Sequence, residues 1–218
     1  MVRLYAIEGI EGCGKSTIIS LLKEKLPKNK FIFTHEPGGT HAGEDIRDLL
    51  LNKNYSSKLT DKTQALLFAA ARSELNDKLI LPAFADGKSV ITDRYFLSNY
   101  VYQGLMNSHE IKTVGPGWIE IINKNIILPQ ITFLLDVFPK TAAERMKKRN
   151  TNNYMDNVTI EEQETRRKNF LKAAEYFDKK YHKNRQDPYI DIVNNDPRPS
   201  ELTANYIAEQ IEKNDYLS

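Results

Sequence analysis

Cysteine is almost missing from this chain of 218 residues: Cys13 stands alone, so no internal disulfide can form. Long apolar runs are missing too. None approaches the ~20 residues that cross a bilayer, and the N-terminus enters a β-rich run with no signal-like apolar region, so a cytoplasmic, intracellular location without a membrane partner is expected. Charge of one sign is not in excess either. The 31 basic and 29 acidic residues leave +2, too even a balance to argue for a nucleic-acid partner. No internal repeat or low-complexity tract interrupts the chain. What remains, 40% hydrophobic with a mean hydropathy of −0.53, has the composition of an ordinary soluble protein, and the length suits one α/β domain over residues 1–218 rather than two.

The most specific feature that is present runs Gly9-Ile10-Glu11-Gly12-Cys13-Gly14-Lys15-Ser16-Thr17. Its glycines let the backbone curl so that successive N–H groups face phosphate oxygens, while Lys15 can reach the β- and γ-phosphates of a nucleoside triphosphate and Ser16 can ligate Mg²⁺. A helix beginning near Lys15 adds its positive dipole end. The flanks agree: Arg3 to Ile7 reads as a strand and Thr17 to Leu26 as an amphipathic helix. Cys13 reads as a small filler within the loop.

Further β-rich runs at Phe31–Thr34, Ser89–Thr92, Ile131–Val137 and Tyr189–Val193 alternate with segments of helical period. That alternation predicts a parallel five-stranded sheet with helices on both faces and ligands beyond the carboxyl ends of the strands. The groups that follow strands are then the ones to weigh. Glu36-Pro37-Gly38-Gly39-Thr40 has the chemistry of a turn, but Arg47, about two turns into the next helix, can reach back toward an anion there. Asp93 and Arg94 emerge together after the third strand, either as a structural ion pair or as a magnesium site beside a phosphate clamp. Asn99, Tyr102 and Gln103 share a helical face, a polar surface suited to a nucleoside. Phe68 and Arg72 lie four apart on a helix predicted from about Thr60 to Phe84; the ring can be core or a stacking platform, whereas a buried Arg72 requires an anionic or carbonyl partner. Lys140, Arg145, Lys147, Lys148 and Arg149 oppose the single acid Glu144 just before the polar, asparagine-rich stretch 150–157. A solvated helix face accounts for such a cluster, and so does a set of cations closing over transferring phosphates.

Together the glycine loop, Glu36-Pro37-Gly38-Gly39-Thr40, Leu67-Phe68-Ala69-Ala70-Ala71-Arg72, Asp93-Arg94-Tyr95 and Tyr102-Gln103-Gly104 resemble the thymidylate kinase family, strongly from Leu4 to about Arg149 and thinly afterwards. The resemblance implies a P-loop NTPase-type fold, a nucleoside monophosphate kinase domain with a lid at about 140–158, and transfer of the ATP γ-phosphoryl group to dTMP with Mg²⁺ as cofactor. It implies an ATP site of Gly9, Glu11, Gly12, Cys13, Gly14, Lys15, Ser16, Thr17 and Arg145, with Ser16 and Asp93 serving the metal. On the acceptor side it implies Glu11, Glu36, Pro37, Arg47, Phe68, Arg72, Arg94, Ser98, Asn99, Tyr102 and Gln103, with Phe68 stacked on thymine and Glu11 approaching the 3′-hydroxyl. It implies that Lys15, Asp93, Arg94 and Arg149 carry catalysis, Arg149 because Gly12 stands where one branch of the family has an arginine. Tyr154 and Asp156 are candidates for further acceptor contacts, and Asn194 to Pro197 for contacts with adenine. The resemblance also implies a homodimer, for which Leu66 to Ala71 and Leu49 to Leu51 offer apolar faces.

Three rival readings follow from the same residues. dUMP differs from dTMP by one methyl and stays open as the acceptor. A deoxynucleoside kinase would need a base to activate a hydroxyl and would leave Arg47 and Arg94 without a phosphate to bind. A nucleotide-regulated binding module of the GTPase kind would carry Asn-Lys-x-Asp, which Asn123-Lys124-Asn125-Ile126 approaches without the aspartate.

Overall fold

A computed structural model describes residues 2–52, 55, 58–106, 114–149, 158–182 and 188–216. Five strands, β1 (Leu4–Glu8), β2 (Phe31–His35), β3 (Ser89–Asp93), β4 (Ile131–Asp136) and β5 (Ile190–Asn194), pair in parallel in the order β2-β3-β1-β4-β5. β1 is central, and every one of its residues is buried, as a strand covered on both faces requires; Leu4, Tyr5, Ala6 and Ile7 accordingly form an unbroken apolar run. The strands end at Glu8, His35, Asp93, Asp136 and Asn194, so the apolar sheet terminates in a single polar edge.

The helices that follow those ends position the site. α1 (Lys15–Lys25) starts at Gly14, whose φ of 102° suits a residue without a side chain. α2 (His41–Leu51) is capped by Thr40, which accepts from the Gly43 amide at 3.0 Å. The predicted single helix over residues 60–84 is instead α3 (Asp61–Leu75), a π turn at Asn76–Ile80 and α4 (Leu81–Ala85). Pro82 is the physical reason: it has no N–H for the carbonyl one turn back and its ring crowds that carbonyl, so the chain widens just before it. α5 (Phe96–Asn99) likewise runs into a π turn at Tyr100–Leu105. α6 (Pro116–Ile122) precedes β4, α7 (Pro139–Arg149) follows it, and α8 (Ile160–Tyr181) opens on a reciprocal cap between Thr159 and Glu162. α9 (Ser200–Tyr216) closes the fold against α1. No helix among the described residues is long and apolar enough to cross a membrane.

Candidate active site

The glycine loop between β1 and α1 is closed on itself. Lys15 donates to the carbonyls of Gly9 at 2.9 Å and Ile10 at 3.0 Å, so its ammonium is held at the mouth of the loop by groups that a phosphate can replace. Gly12 has φ of 77°, and a Cβ there would stand 2.4 Å from the Ala142 carbonyl oxygen and 2.9 Å from Met146; α7 therefore lies directly over the loop. Its Arg145 donates to the Cys13 carbonyl at 3.4 Å and to the Asn195 carbonyl at 3.1 Å, and buried Asn195 adds a bond to the same Cys13 carbonyl at 2.7 Å. The loop, the basic helix and the segment after β5 thus meet. Ser16 and Thr17 lie exposed in the first turn of α1.

Glu11 joins the loop to the end of β3. Its Oε1 accepts from Arg94 at 3.0 Å and from the Tyr102 hydroxyl at 2.7 Å, and its Oε2 from Arg166 at 2.7 Å. Burial pushes this carboxyl up, but Arg94, Arg166 and Lys15 outweigh it and hold it down at about 2. Arg94 also donates to the Gly9 carbonyl at 3.1 Å and to Ser98 at 2.9 Å. Its φ of 67° is left-handed, a strained conformation for a residue other than glycine, of the kind that clusters at functional sites. Buried Glu8 keeps this corner in place by accepting from the Tyr95 amide at 2.8 Å, the Ser98 amide at 3.0 Å and the Ser98 hydroxyl at 2.5 Å. Burial raises the Glu8 carboxyl above its ordinary value, against the pull of Arg94 and those bonds.

A second cluster lies beneath the turn after β2. Arg72 is fully buried and donates Nε and NH2 to one oxygen of Glu36 at 2.9 and 2.6 Å. Its NH1 reaches the amide oxygens of Asn99 at 3.2 Å and Asn123 at 2.7 Å. The partners required of a buried guanidinium are therefore present. Burial raises Glu36 to about 7 against the pull of Arg72, and its Oε1 is buried without a hydrogen-bond partner among the described residues. Arg47 does reach back, donating to the Pro37 carbonyl at 2.7 Å. Phe68 is half-buried and stands outside the main core cluster. Asn99 donates to Gln103 at 3.1 Å, whereas Tyr102 turns to Glu11, so the face predicted for all three divides between the two clusters.

Asp93 ends β3 with Oδ1 buried and unpartnered among the described residues. Arg149 ends α7, and its side chain, like Tyr154 and Asp156, lies outside the described residues. Sequence reasoning missed Arg166, Arg167, Glu8 and Asn123. Arg167 forks onto both oxygens of Asp136 at 2.7 and 2.8 Å and ties α8 to the end of β4. The one sequence signal for α8 was the Thr159–Glu162 capping pattern; nothing in the charged run after it marks which arginine turns inward.

The arrangement is a set of cations on one sheet edge, divided between the glycine loop and the neighbouring end of β3. A family profile described as thymidylate kinase matches residues 7–196. Relatives include the thymidylate kinase of Thermoanaerobacter sp., 35% identical over 184 residues covering 82% of this chain and 87% of the relative. The thymidylate kinase of Mycoplasma pneumoniae is 39% identical over 160 residues, 70% of this chain and 72% of the relative. That of Mycoplasma mobile is 43% identical over 150 residues, 66% and 70% of the two chains. The chain belongs to the thymidylate kinase family.

Proposed function

We propose that this member of the thymidylate kinase family transfers the γ-phosphoryl group of ATP to dTMP, giving dTDP, within a single domain. The observation that carries the reading is the junction at Gly9. Its carbonyl accepts from Lys15 of the triphosphate loop and from Arg94 at the end of the neighbouring strand, so donor and acceptor cations converge on one backbone atom.

The chemistry asks mainly for positioning and charge compensation. Loop amides and Lys15 would hold the ATP phosphates, with Arg145 on the nucleotide side of the loop; Arg47 and Arg94 would hold the dTMP phosphate in line. No general base is needed, because a phosphate oxygen is already a nucleophile. Arg149 would close over the transition state from the end of α7, within a lid at about 140–158. Phe68 would stack on thymine over a polar floor of Arg72, Asn99 and Gln103, and Tyr102 would crowd the sugar.

Mg²⁺ suits the donor set: Asp93 Oδ1, buried and without a hydrogen-bond partner among the described residues, and the hydroxyl of Ser16 are hard oxygen ligands. No group of three or more His, Cys, Asp or Glu side chains able to hold a metal occurs among the described residues, so phosphate oxygens and water would complete the coordination. When bound, the ion would neutralise charge on the donor phosphates.

Coupled ADP release with ATP and Mg²⁺, run in parallel with dTMP, dUMP, UMP and thymidine, tests the reading. The rate led by dTMP and abolished by EDTA is expected. A rate led by thymidine, or none with any acceptor, refutes it, and a larger rate with dUMP moves the natural acceptor to the unmethylated base. The methyl is worth only about 1–3 kcal/mol in an apolar pocket. A homodimer would use the exposed Leu66 on α3; Leu50 is already buried within the chain. A monomeric mass by sedimentation would exclude the dimer.

A further inference from the structure

The two adjacent arginines of α8 have opposite fates. Arg167 meets Asp136 one to one, with Nε and NH2 on separate oxygens. Arg166 has to share: its NH1 reaches Glu11 Oε2 at 2.7 Å, but Oε1 is already taken by Arg94 at 3.0 Å and Tyr102 at 2.7 Å. Both guanidiniums also lie by the Tyr102 ring, at 5.4 Å for Arg166 and 5.5 Å for Arg94. Of the other acids near Arg94, Glu8 is turned toward Tyr95 and Ser98, and Asp93 ends the neighbouring strand β3. One carboxylate thus serves two guanidiniums at ion-pair distance. In addition, Arg166 Nε is buried with no acceptor among the described residues. A buried donor without a partner is costly, and an oxyanion beside the two arginines supplies an acceptor for it. The kinase reading gives Arg94 the acceptor's phosphate, so the anion beside Arg94 and Arg166 is that phosphate.

We propose that Arg166 is a further phosphate-binding residue of the acceptor side, gripping Glu11 through NH1 and presenting its Nε–H to a non-bridging oxygen of the dTMP phosphate. The inference rests on the dTMP kinase reading and extends it to a residue from a separate helix.

The test titrates dTMP and thymidine, calorimetrically, into the parent, Arg166→Lys and Arg166→Gln, alongside dTMP-dependent ADP release. Arg166→Lys keeps a cation for Glu11 and so the local fold, but has no Nε–H. It is expected to bind dTMP about 10- to 100-fold more weakly and thymidine within about twofold of the parent, with kcat/KM falling in step with dTMP affinity. Arg166→Gln should lose at least as much. Equal weakening toward dTMP and thymidine would make Arg166 a purely structural strut and overturn the proposal, as would unchanged dTMP affinity in Arg166→Lys. If the parent turns over dTMP while the variants match it, the Arg166 inference alone fails. A parent without dTMP-dependent ADP release overturns the kinase reading and this inference with it.

Discussion

Replacing Arg72 by methionine should destabilise the protein by an amount that depends on pH. In the native chain Arg72 and Glu36 are both almost fully buried, with two donors on one carboxylate oxygen. Removing one partner of such a pair costs roughly 3–5 kcal/mol. At about 2–4 °C per kcal/mol for a chain of this size, Tm should fall by roughly 6–20 °C. The pH dependence follows from Glu36. Burial raises its carboxyl from 4.5 to about 7, Arg72 restrains that rise, and Glu8 adds to it. A carboxyl raised on folding keeps its proton longer in the native than in the unfolded state. Its contribution therefore declines as pH rises from 4.5 to about 7 and is level above that. Without Arg72 the carboxyl titrates higher still, and the decline continues into the alkaline range at up to about 1.4 kcal/mol per pH unit. Urea unfolding followed by circular dichroism between about pH 6 and about pH 9 should show the deficit of Arg72→Met widening. The double variant Arg72→Met/Glu36→Gln should recover much of the loss and flatten the alkaline limb, short of full recovery because Asn99 and Asn123 lose a donor. A deficit under about 1 kcal/mol, or one equal at both ends of the range, would refute the reasoning.

Gly12→Ala places a Cβ 2.4 Å from the Ala142 carbonyl at a φ of 77°, so ATP affinity should fall at least about tenfold; normal nucleotide titration would show that α7 yields there. Arg145→Ala should raise the KM for ATP roughly tenfold and leave the KM for dTMP unchanged, because its two bonds go to Cys13 and Asn195; a change confined to dTMP would contradict the placement. Glu11 is depressed from 4.5 to about 2, so its contribution is complete above 4.5 and is lost as pH falls toward 2. Acid unfolding of Glu11→Gln should accordingly lack about 3 kcal/mol of the parent's pH dependence, and parallel acid limbs would count against the ion-pair cluster.

Much of this was legible in order along the chain. All five strands fall within a residue or so of the apolar runs that predicted them; β1, β3 and β4 are apolar because they are buried on both faces, whereas the edge strands β2 and β5 are only partly covered. The loop was readable because its chemistry is local, with glycine, lysine and hydroxyl at fixed spacing. The long helix was legible in extent, since Asp61–Ala85 runs unbroken, but the wider π turn at Asn76–Ile80 ahead of Pro82 was not. The common face of Asn99, Tyr102 and Gln103 divided for a similar reason, since the chain enters a π turn at Tyr100.

By itself the sequence determined the sheet, the phosphate loop and the family to which the chain belongs, since strand burial, backbone curvature and motif spacing are written in consecutive residues. Only the tertiary structure decided which charges meet. Glu11 and Arg166 are 155 positions apart, Arg72 and Asn123 are 51 apart, and Asn195 reaches Cys13 across 182. A buried charge needs a partner but does not specify where in the chain the partner lies. That is settled by the parallel sheet, which brings its strand ends and the helices beyond them to one edge.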